Sequence, residues 1–376
     1  ISIAKRIVIM GDLYIGLMSG TSIDSVDAVI ADLSQKKPLV VSQENFEIPK
    51  NLRFQTLQLI NQKKPKEDFY PLDDEFAELF SNSVKSLLRK NKINYEEIIA
   101  IGSHGQTVLH EPKNKNPFSL QLGNPEKIAQ KTKIKTVGNF RQDDIDKGGQ
   151  GAPLSPLFHK AFFSKENKVR CILNIGGIAN LTVLSHPEFD LIGYDIGPGN
   201  CLMDAWIRDV KGEDFDESGN WAKEGKPEES LLKELQNDDF FNKTSPKSTG
   251  PDYFSLNWLL EKLNTLKAKP SNRDIQATLM ELTASSIVEE VNKNIDQTDS
   301  VYICGGGAKN KYLVEKIIDK RKGRVEITDE LGLNSDYLEA LGFAWLAKER
   351  ISNKTFNLSK VTGSQGPVSV GEIFLP

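Results

Sequence analysis

Gly16-Leu17-Met18-Ser19-Gly20-Thr21-Ser22-Ile23-Asp24-Ser25-Val26-Asp27 is the stretch that decides how this chain folds. An apolar run, Tyr14 to Leu17, leads into it, and another, Val26 to Ile30, leads out. A strand, a tight Gly/Ser/Thr turn and a second strand is how a sheet protein presents backbone N–H groups and hydroxyls to a phosphate. Two aspartates in such a turn would repel a bare phosphate, so they suit a metal ion or a water. The same residue types also make an ordinary polar hairpin tip. The rest of the chain has to choose between the two.

Outward from that turn, three strand-like runs open the chain: Tyr14–Leu17, Val26–Leu33 and Leu39–Phe46. Helical periodicity follows near Leu52–Asn61 and Asp73–Lys90, the second with Phe76, Leu79, Phe80, Val84, Leu87 and Leu88 on one face. A buried strand, Ile98–Ile101, runs into a loop at Gly102-Ser103-His104-Gly105-Gln106-Thr107, and another, Ile134–Val137, into Asn139-Phe140-Arg141-Gln142-Asp143-Asp144. The pattern then restarts. Val169–Ile175, a Gly176-Gly177 turn, Asn180–Leu184 and Leu191–Ile196 repeat the three-strand opening. Helical sequence fills Glu228 to Asn294, broken by a polar stretch from Asn242 to Asp252. A short strand, Val301–Cys304, then meets Gly305-Gly306-Gly307 and a helix through Lys320. Two copies sharing order rather than residues predict α/β layers with a nucleotide held between them. No low-complexity linker separates the halves, which places a hinge near Val137.

At 376 residues the chain has room for two domains, and 38% hydrophobic with 27% charged residues is the balance of a globular protein with a real core. A formal net charge of −4 gives no long-range pull on nucleic acid or anionic lipid, so neither is expected as a partner. No apolar run reaches the length of a membrane span. Three widely spaced cysteines, Cys171, Cys201 and Cys304, fit buried thiols in a reducing compartment, and four histidines offer no Cys/His zinc spacing. Ile1 to Ile9 lacks the features of a signal peptide, and Met10-Gly11-Asp12 reads as a natural start behind an upstream extension. The expected location is cytoplasmic.

Asp144 follows a strand and precedes Gly148-Gly149-Gln150-Gly151-Ala152-Pro153. Ligand sites of open α/β sheets lie at strand carboxyl ends, where an ionised, unpaired carboxylate takes a proton from water or a sugar hydroxyl. Taken in isolation, an N-cap or a salt bridge with Arg141 is the favoured reading of Asp144. His104, Gln106 and Thr107 suit hydrogen bonding to a polyhydroxylated ligand, and His104 also suits a structural role. Gly176-Gly177 and Gly197-Pro198-Gly199 end strands where backbone can approach phosphate, although glycine there also marks simple bulges. Gly305–Gly307 before a helix lets a flat base or a phosphate lie against backbone and helix N-terminus. There is no GxxxxGK[ST], no GxGxxG after the first strand and no Ser nucleophile elbow, so these residues point to a nucleotide-dependent transferase of another type.

Together these motifs resemble the anhydro-N-acetylmuramic acid kinase family. The resemblance is carried by Gly20 to Asp27, Ser103 to Thr107, Phe140 to Asp144, Gly148 to Pro153, Asn174-Ile175-Gly176-Gly177-Ile178-Ala179-Asn180, Asp195-Ile196-Gly197-Pro198-Gly199-Asn200 and Cys304 to Gly307. It continues through Ala277-Thr278-Leu279 and Glu339-Ala340-Leu341-Gly342-Phe343-Ala344-Trp345. Ser25 departs from the family's usual Gly, which marks it for local strain.

The resemblance implies an α/β, two-domain actin-like fold of the sugar kinase, heat-shock and actin type, with an ATP cleft between duplicated βββαβαβα-type domains. Residues 1–136, joined by 350–376, would form one domain and 137–349 the other. It implies ATP-dependent, hydrolytic opening of the 1,6-anhydro ring of 1,6-anhydro-N-acetylmuramic acid. Phosphorylation of O6 gives N-acetylmuramic acid 6-phosphate in cell-wall recycling, by a homodimer using Mg²⁺. The family's base falls on Asp144. Gly20, Thr21, Ser22, Ile23, Asp24, Ser25, Val26, Asp27, Gly176, Gly177, Gly197, Gly305, Gly306, Gly307 and Asn310 would bind the nucleotide, with charge on the transferred phosphoryl group met by Mg²⁺ and the Gly-Thr-Ser backbone. His104, Gln106, Thr107, Gln150 and Glu339 are the sugar candidates. From chemistry alone, Asp24 and Asp195 are placed to hold metal-bound water. The rivals are an ordinary sugar kinase that deprotonates its acceptor without hydrolysis, and a non-catalytic ATP-binding module.

Overall fold

Leu13, Ile15 and Leu17 face one side of the first strand, and Tyr14 and Gly16 the other, as a pleat of period two requires. Both sides are covered, because every residue from Leu13 to Leu17 is buried. The computed structural model describes residues 11–20, 22–165, 168–185 and 191–376, so Thr21 and the Ile1 to Ile9 extension lie outside the described residues.

The strands are β1 (Leu13–Ser19), β2 (Ser25–Asp32), β3 (Leu39–Glu47), β4 (Ile98–Glu111), β5 (Phe118–Leu122), β6 (Thr136–Gly138) and β7 (Arg170–Ile175). They continue as β8 (Ile178–Leu184), β9 (Ile192–Pro198), β10 (Ser300–Cys304), β11 (Val325–Ile327), β12 (Phe356–Asn357), β13 (Pro367–Val368) and β14 (Glu372–Phe374). The α-helices are α1 (Lys50–Asn61), α2 (Tyr70–Asn91), α3 (Pro125–Thr132), α4 (Gln142–Asp146), α5 (Ser155–Phe163) and α6 (Cys201–Lys211). After them come α7 (Asn220–Glu224), α8 (Glu229–Gln236), α9 (Asp239–Asn242), α10 (Leu256–Asn264), α11 (Asn272–Asn294), α12 (Lys311–Arg321) and α13 (Leu338–Ile351).

The first sheet runs β14-β6-β4-β1-β2-β3 with β5 on β4, and the second runs β11-β10-β7-β8-β9. Each opens with an antiparallel meander, β1-β2-β3 and β7-β8-β9. Each then adds two parallel strands on the far side of its first strand, β4 and β6 in one and β10 and β11 in the other. This duplicated order, with helices on the sheet faces, is the two-domain actin-like α/β fold.

Three apolar layers hold it together. The Ile15 side of β1 and the matching side of β2 pack with α2 in an outer core around Ile15, Leu17, Phe76 and Phe80. A matching outer core joins β7 and β10 to α11 through Leu173, Ile303, Leu282 and Ile287. Between the sheets, Tyr14, Ala100, Ile172 and Tyr302 meet α5 and α13 through Phe158 and Phe343. A Cβ on Gly16 would stand 1.8 Å from the Ala340 carbonyl oxygen, and one on Gly102 2.0 Å from that of Phe343, so α13 lies directly on the backbone of β1 and β4.

Two expectations change here. The loop expected at Gly102 to Thr107 is strand, because β4 runs on to Glu111; its glycines serve the helix contact at Gly102 and a bulge at Gly105, φ +77°. Val137, expected near a hinge, is buried in β6 between Gly102 of β4 and Ile373 of β14. The chain therefore leaves the first sheet only after Gly138. The expected domain limits fall inside β6 and inside α13, a helix that packs on the first sheet.

Candidate active site

The first wall of the cleft is the β1–β2 tip. Ser19 donates its hydroxyl to the Gln106 Oε1 at 2.7 Å, and the Gln106 amide donates to the Gly20 and Thr107 carbonyls at 3.1 Å. Both amide hydrogens are thus used, so Gln106, fully buried, braces the turn and is not available to a sugar. Ile23 is buried at φ +53°, a left-handed conformation strained for a β-branched residue. The strain expected at Ser25 lies here instead. Ser25 begins β2 and accepts a hydrogen bond from Asn45 Nδ2 at 2.6 Å. Ser22 donates to Asp24 Oδ1 at 2.7 Å, and Arg53 of α1 donates to the Ser22 carbonyl at 3.2 Å. The Val26 side chain is buried in the outer core, leaving only its backbone for the cleft.

The second wall is the β7–β8 tip. Gly199 and Cys201 donate their N–H groups to the Gly177 carbonyl at 2.9 and 3.1 Å, and Asn200 donates to that of Gly176 at 2.9 Å. This pins the Gly-Gly turn to the start of α6. Gly197 is required by the fold, since a Cβ would come 2.9 Å from the Phe241 ring. Gly305 and Gly307 are likewise required, with Cβ positions 2.4 Å from Asn174 Oδ1 and from Ile175 Cγ2. Gly20, Gly176 and Gly306 are different. Their added Cβ would meet nothing nearer than 3.7 Å, and none has a left-handed φ. Nothing among the described residues demands glycine there, so these three positions leave open space beside the backbone. Asn310 caps α12 by accepting from the Leu313 N–H at 3.1 Å, so its carbonyl oxygen is committed to the helix.

Polar groups converge between the walls. Arg141 donates to the Gly151 carbonyl at 2.7 Å and to His104 Nε2 at 2.8 Å, while His104 donates through Nδ1 to the Gly105 carbonyl at 2.9 Å. Burial and the adjacent guanidinium hold His104 well below its ordinary pKa, so it is neutral, and its ring packs on Phe343 at 4.6 Å. It is a structural support for Arg141, and both ring nitrogens are occupied. Thr107 accepts from Gln121 at 3.3 Å, and Gln150 accepts from the Ser248 hydroxyl across the cleft. Glu339, at the start of α13, accepts from Asn174 at 3.4 Å; burial and then the charge of Asp27 raise its pKa. Burial likewise pushes Asp27 up to about 6, although Asn45 donates to it at 2.8 Å.

Asp144 does not present the open carboxylate expected of it. Thr362 donates to Oδ1 at 2.6 Å and the Gly151 N–H to Oδ2 at 2.7 Å, and the residue is 0% exposed. A Cβ on Gly149 would sit 2.2 Å from Oδ2. Burial raises its pKa, and these two donors pull against that rise. Asp195, in β9, has a different environment. Its Oδ2 accepts from the Thr249 N–H at 2.9 Å, Oδ1 has no hydrogen-bond partner among the described residues, and it is 6% exposed. Burial pushes it up to about 7, against Thr249, Arg141 and Lys247, which favour the ionised form.

The two aspartates expected to hold metal-bound water lie in different surroundings. Asp195 faces the Arg141 guanidinium, Asp24 is exposed beside Ser22, and among the described residues no group of three His, Cys, Asp or Glu side chains could hold a metal ion. Arg141, Asn174, Lys247 and Thr249 are the site residues that the motifs did not single out. The polar break from Asn242 to Asp252 was the available signal for the last two.

A sequence model of the family described as anhydro-N-acetylmuramic acid kinase matches residues 12–376. The chain belongs to the anhydro-N-acetylmuramic acid kinase family. It is 44% identical over 373 residues to the anhydro-N-acetylmuramic acid kinase of Haemophilus influenzae, covering 96% of this chain and 97% of that one. The Pasteurella multocida member is 42% identical over 364 residues, with 96% of each covered. Among solved structures, the activator of the 2-hydroxyisocaproyl-CoA dehydratase from Clostridium difficile with bound ADPNP matches 92% of this chain and 99% of its own, at 14% identity and TM-score 0.44. Membership in the anhydro-N-acetylmuramic acid kinase family makes the chain an enzyme, an ATP-using kinase of sugar metabolism. No described helix is long and apolar enough to cross a membrane.

Proposed function

We propose that this enzyme adds water across the 1,6-anhydro bond of 1,6-anhydro-N-acetylmuramic acid and transfers the γ-phosphoryl group of ATP to O6. The products are N-acetylmuramic acid 6-phosphate and ADP, as a step of peptidoglycan recycling carried out in the cytoplasm by a homodimer. Family membership supports the substrate, and one observation supports the chemistry: Asp195 keeps one carboxylate oxygen free of partners among the described residues, in a buried site. A base poised near neutral pH, within a cleft that also holds a guanidinium, is suited to drawing a proton from water.

In this reading Asp195 Oδ1 takes the proton as the water oxygen bonds to the anomeric carbon. The C1–O6 bond breaks and O6 carries its electron pair to the γ-phosphorus, whose bond to the bridging oxygen breaks and leaves its pair on ADP. Asp144, both oxygens occupied, holds the Gly149–Gly151 turn and through it the Gly151 carbonyl that orients Arg141. Arg141 offers positive charge, and among the described residues no carboxylate is in direct contact with it. The open glycines Gly20, Gly176 and Gly306 leave room for the nucleotide against the backbone. Mg²⁺ prefers phosphate oxygens and water to an all-protein cage. The described residues provide no such cage.

The deciding experiment is turnover in ¹⁸O-water. The reading requires one labelled oxygen at the anomeric position of the product and none in the transferred phosphate. Unlabelled sugar product would establish direct phosphorylation of a hydroxyl and overturn the hydrolytic step.

A further inference from the structure

Asp195 is gripped at both ends by one short segment. Its N–H donates to the Lys247 carbonyl at 3.1 Å, and its Oδ2 accepts from the Thr249 N–H at 2.9 Å. The residue between them, Ser248, donates its hydroxyl to Gln150 on the opposite side of the cleft. This strap is part of the polar break that interrupts the helical second half of the sequence. It belongs to no helix or strand, so something other than a backbone ladder must fix its register.

The fixing group is Glu290 of α11. The Tyr194 hydroxyl, from the residue before Asp195, donates to Glu290 Oε2 at 2.8 Å. Lys247 Nζ, two residues before Thr249, donates to Oε1 at 3.3 Å. Lys247 is 4% exposed, and its ammonium lies 5.0 Å from the centre of the Phe240 ring and 5.8 Å from that of Tyr194. One carboxylate thus sets the register of both chains that meet at Asp195. Buried ion pairs often contribute no net stability over apolar residues of the same size, so stability alone does not account for this one.

We propose that the buried Lys247–Glu290 pair is a positioning device, which keeps the Thr249 N–H on the Asp195 carboxylate and so sets the working state of the base. The inference rests on the reading of Asp195 as that base. The charged groups facing Asp195 are Arg141 from the start of α4 and Lys247 from the strap. Those facing Glu290 are Lys247, the Tyr194 hydroxyl of β9 and Lys293 of its own helix, 3.3 Å away. Their placement gives a test that turns on sign. Removing the negative charge of Glu290 would, through the electric field alone, make Asp195 easier to ionise. Loss of the Thr249 N–H would make it harder.

The experiment is the pH profile of kcat/KM for anhydro-N-acetylmuramic acid, with ATP in excess, in Glu290→Gln and the parent enzyme. The inference requires the acid limb to move up by about one pH unit, with kcat/KM falling about fivefold at pH 7 and recovering at higher pH. An acid limb that stays in place or moves down overturns it, whatever happens to the melting temperature. If Glu290→Gln is not recovered folded, Tyr194→Phe removes one of the two grips on the Glu290 carboxylate without changing any charge, and the same upward move of the limb is required of it. Asp195→Asn is assayed alongside. Full activity in that variant overturns the reading of the base, whereas an inactive Asp195→Asn with an unmoved limb in Glu290→Gln overturns the positioning inference alone.

Discussion

Asp144 and Asp195 stand on opposite sides of the same cleft and look alike at first inspection. Each is buried, each accepts one backbone N–H, and burial pushes each towards protonation. They part at the second oxygen. In Asp144 it accepts from Thr362, and in Asp195 it is left without a partner among the described residues. Burial perturbs a carboxylate, but an unoccupied lone pair decides whether it can act on a ligand. The more thoroughly bonded of the two is the one proposed as scaffold.

The largest effect that would break this contrast is on catalysis. Asp195→Asn keeps an acceptor for Thr249 but removes the base, and kcat is expected to fall by about 10³-fold with ATP binding intact, measured by ADP release and nucleotide titration. Equal losses in Asp144→Asn would erase the distinction. That second variant should instead lose stability, by about 1–3 kcal/mol in denaturant unfolding, because its amide sets a donor against either Thr362 or the Gly151 N–H. Its folded fraction should keep kcat within about tenfold of the parent.

The contrast sharpens with pH. With Asp195 as the proposed base, activity requires it ionised, so kcat/KM should rise through about pH 7 as its acid limb. Stability runs the other way for the same group. Its folded pKa, about 7, lies above the ordinary 3.8, so its contribution is intact below 3.8 and is lost as pH climbs through 7. Asp195→Asn should therefore melt higher than the parent at pH 8, with the gap closing toward pH 4. The smallest effects separate glycines of the second wall. Gly306→Ala should leave stability within about 0.5 kcal/mol and raise KM for ATP several-fold. Gly307→Ala, whose Cβ would strike Ile175, should lower the melting temperature first.

Much of this was legible in the sequence because it is local. Alternation of apolar residues exposed the β1–β2 and β7–β8 hairpins, and strand-end glycines marked the walls between which the nucleotide is proposed to lie. Roles within the motifs were not legible, because they depend on partners far along the chain. Thr362, which occupies Asp144, is 218 residues away, and Ser19, which occupies Gln106, is 87 away. A His-Gly-Gln-Thr run has the composition of a sugar-binding loop whether its side chains face a ligand or a neighbouring strand. β4 continues through it because β1 and β5 both need pairing partners there, and that demand is tertiary. The Lys247–Glu290 contact left a trace only as a polar interruption between helices.

The seating of α13 on Gly16 and Gly102 has a consequence for motion. With helix carbonyls touching strand backbone, the helix cannot slide or tilt on the first sheet, so Glu339 is cargo of that sheet. Asn174, its partner at 3.4 Å, belongs to β7 of the second sheet. That hydrogen bond is a ruler laid from one sheet to the other, and its length would follow any change in their separation.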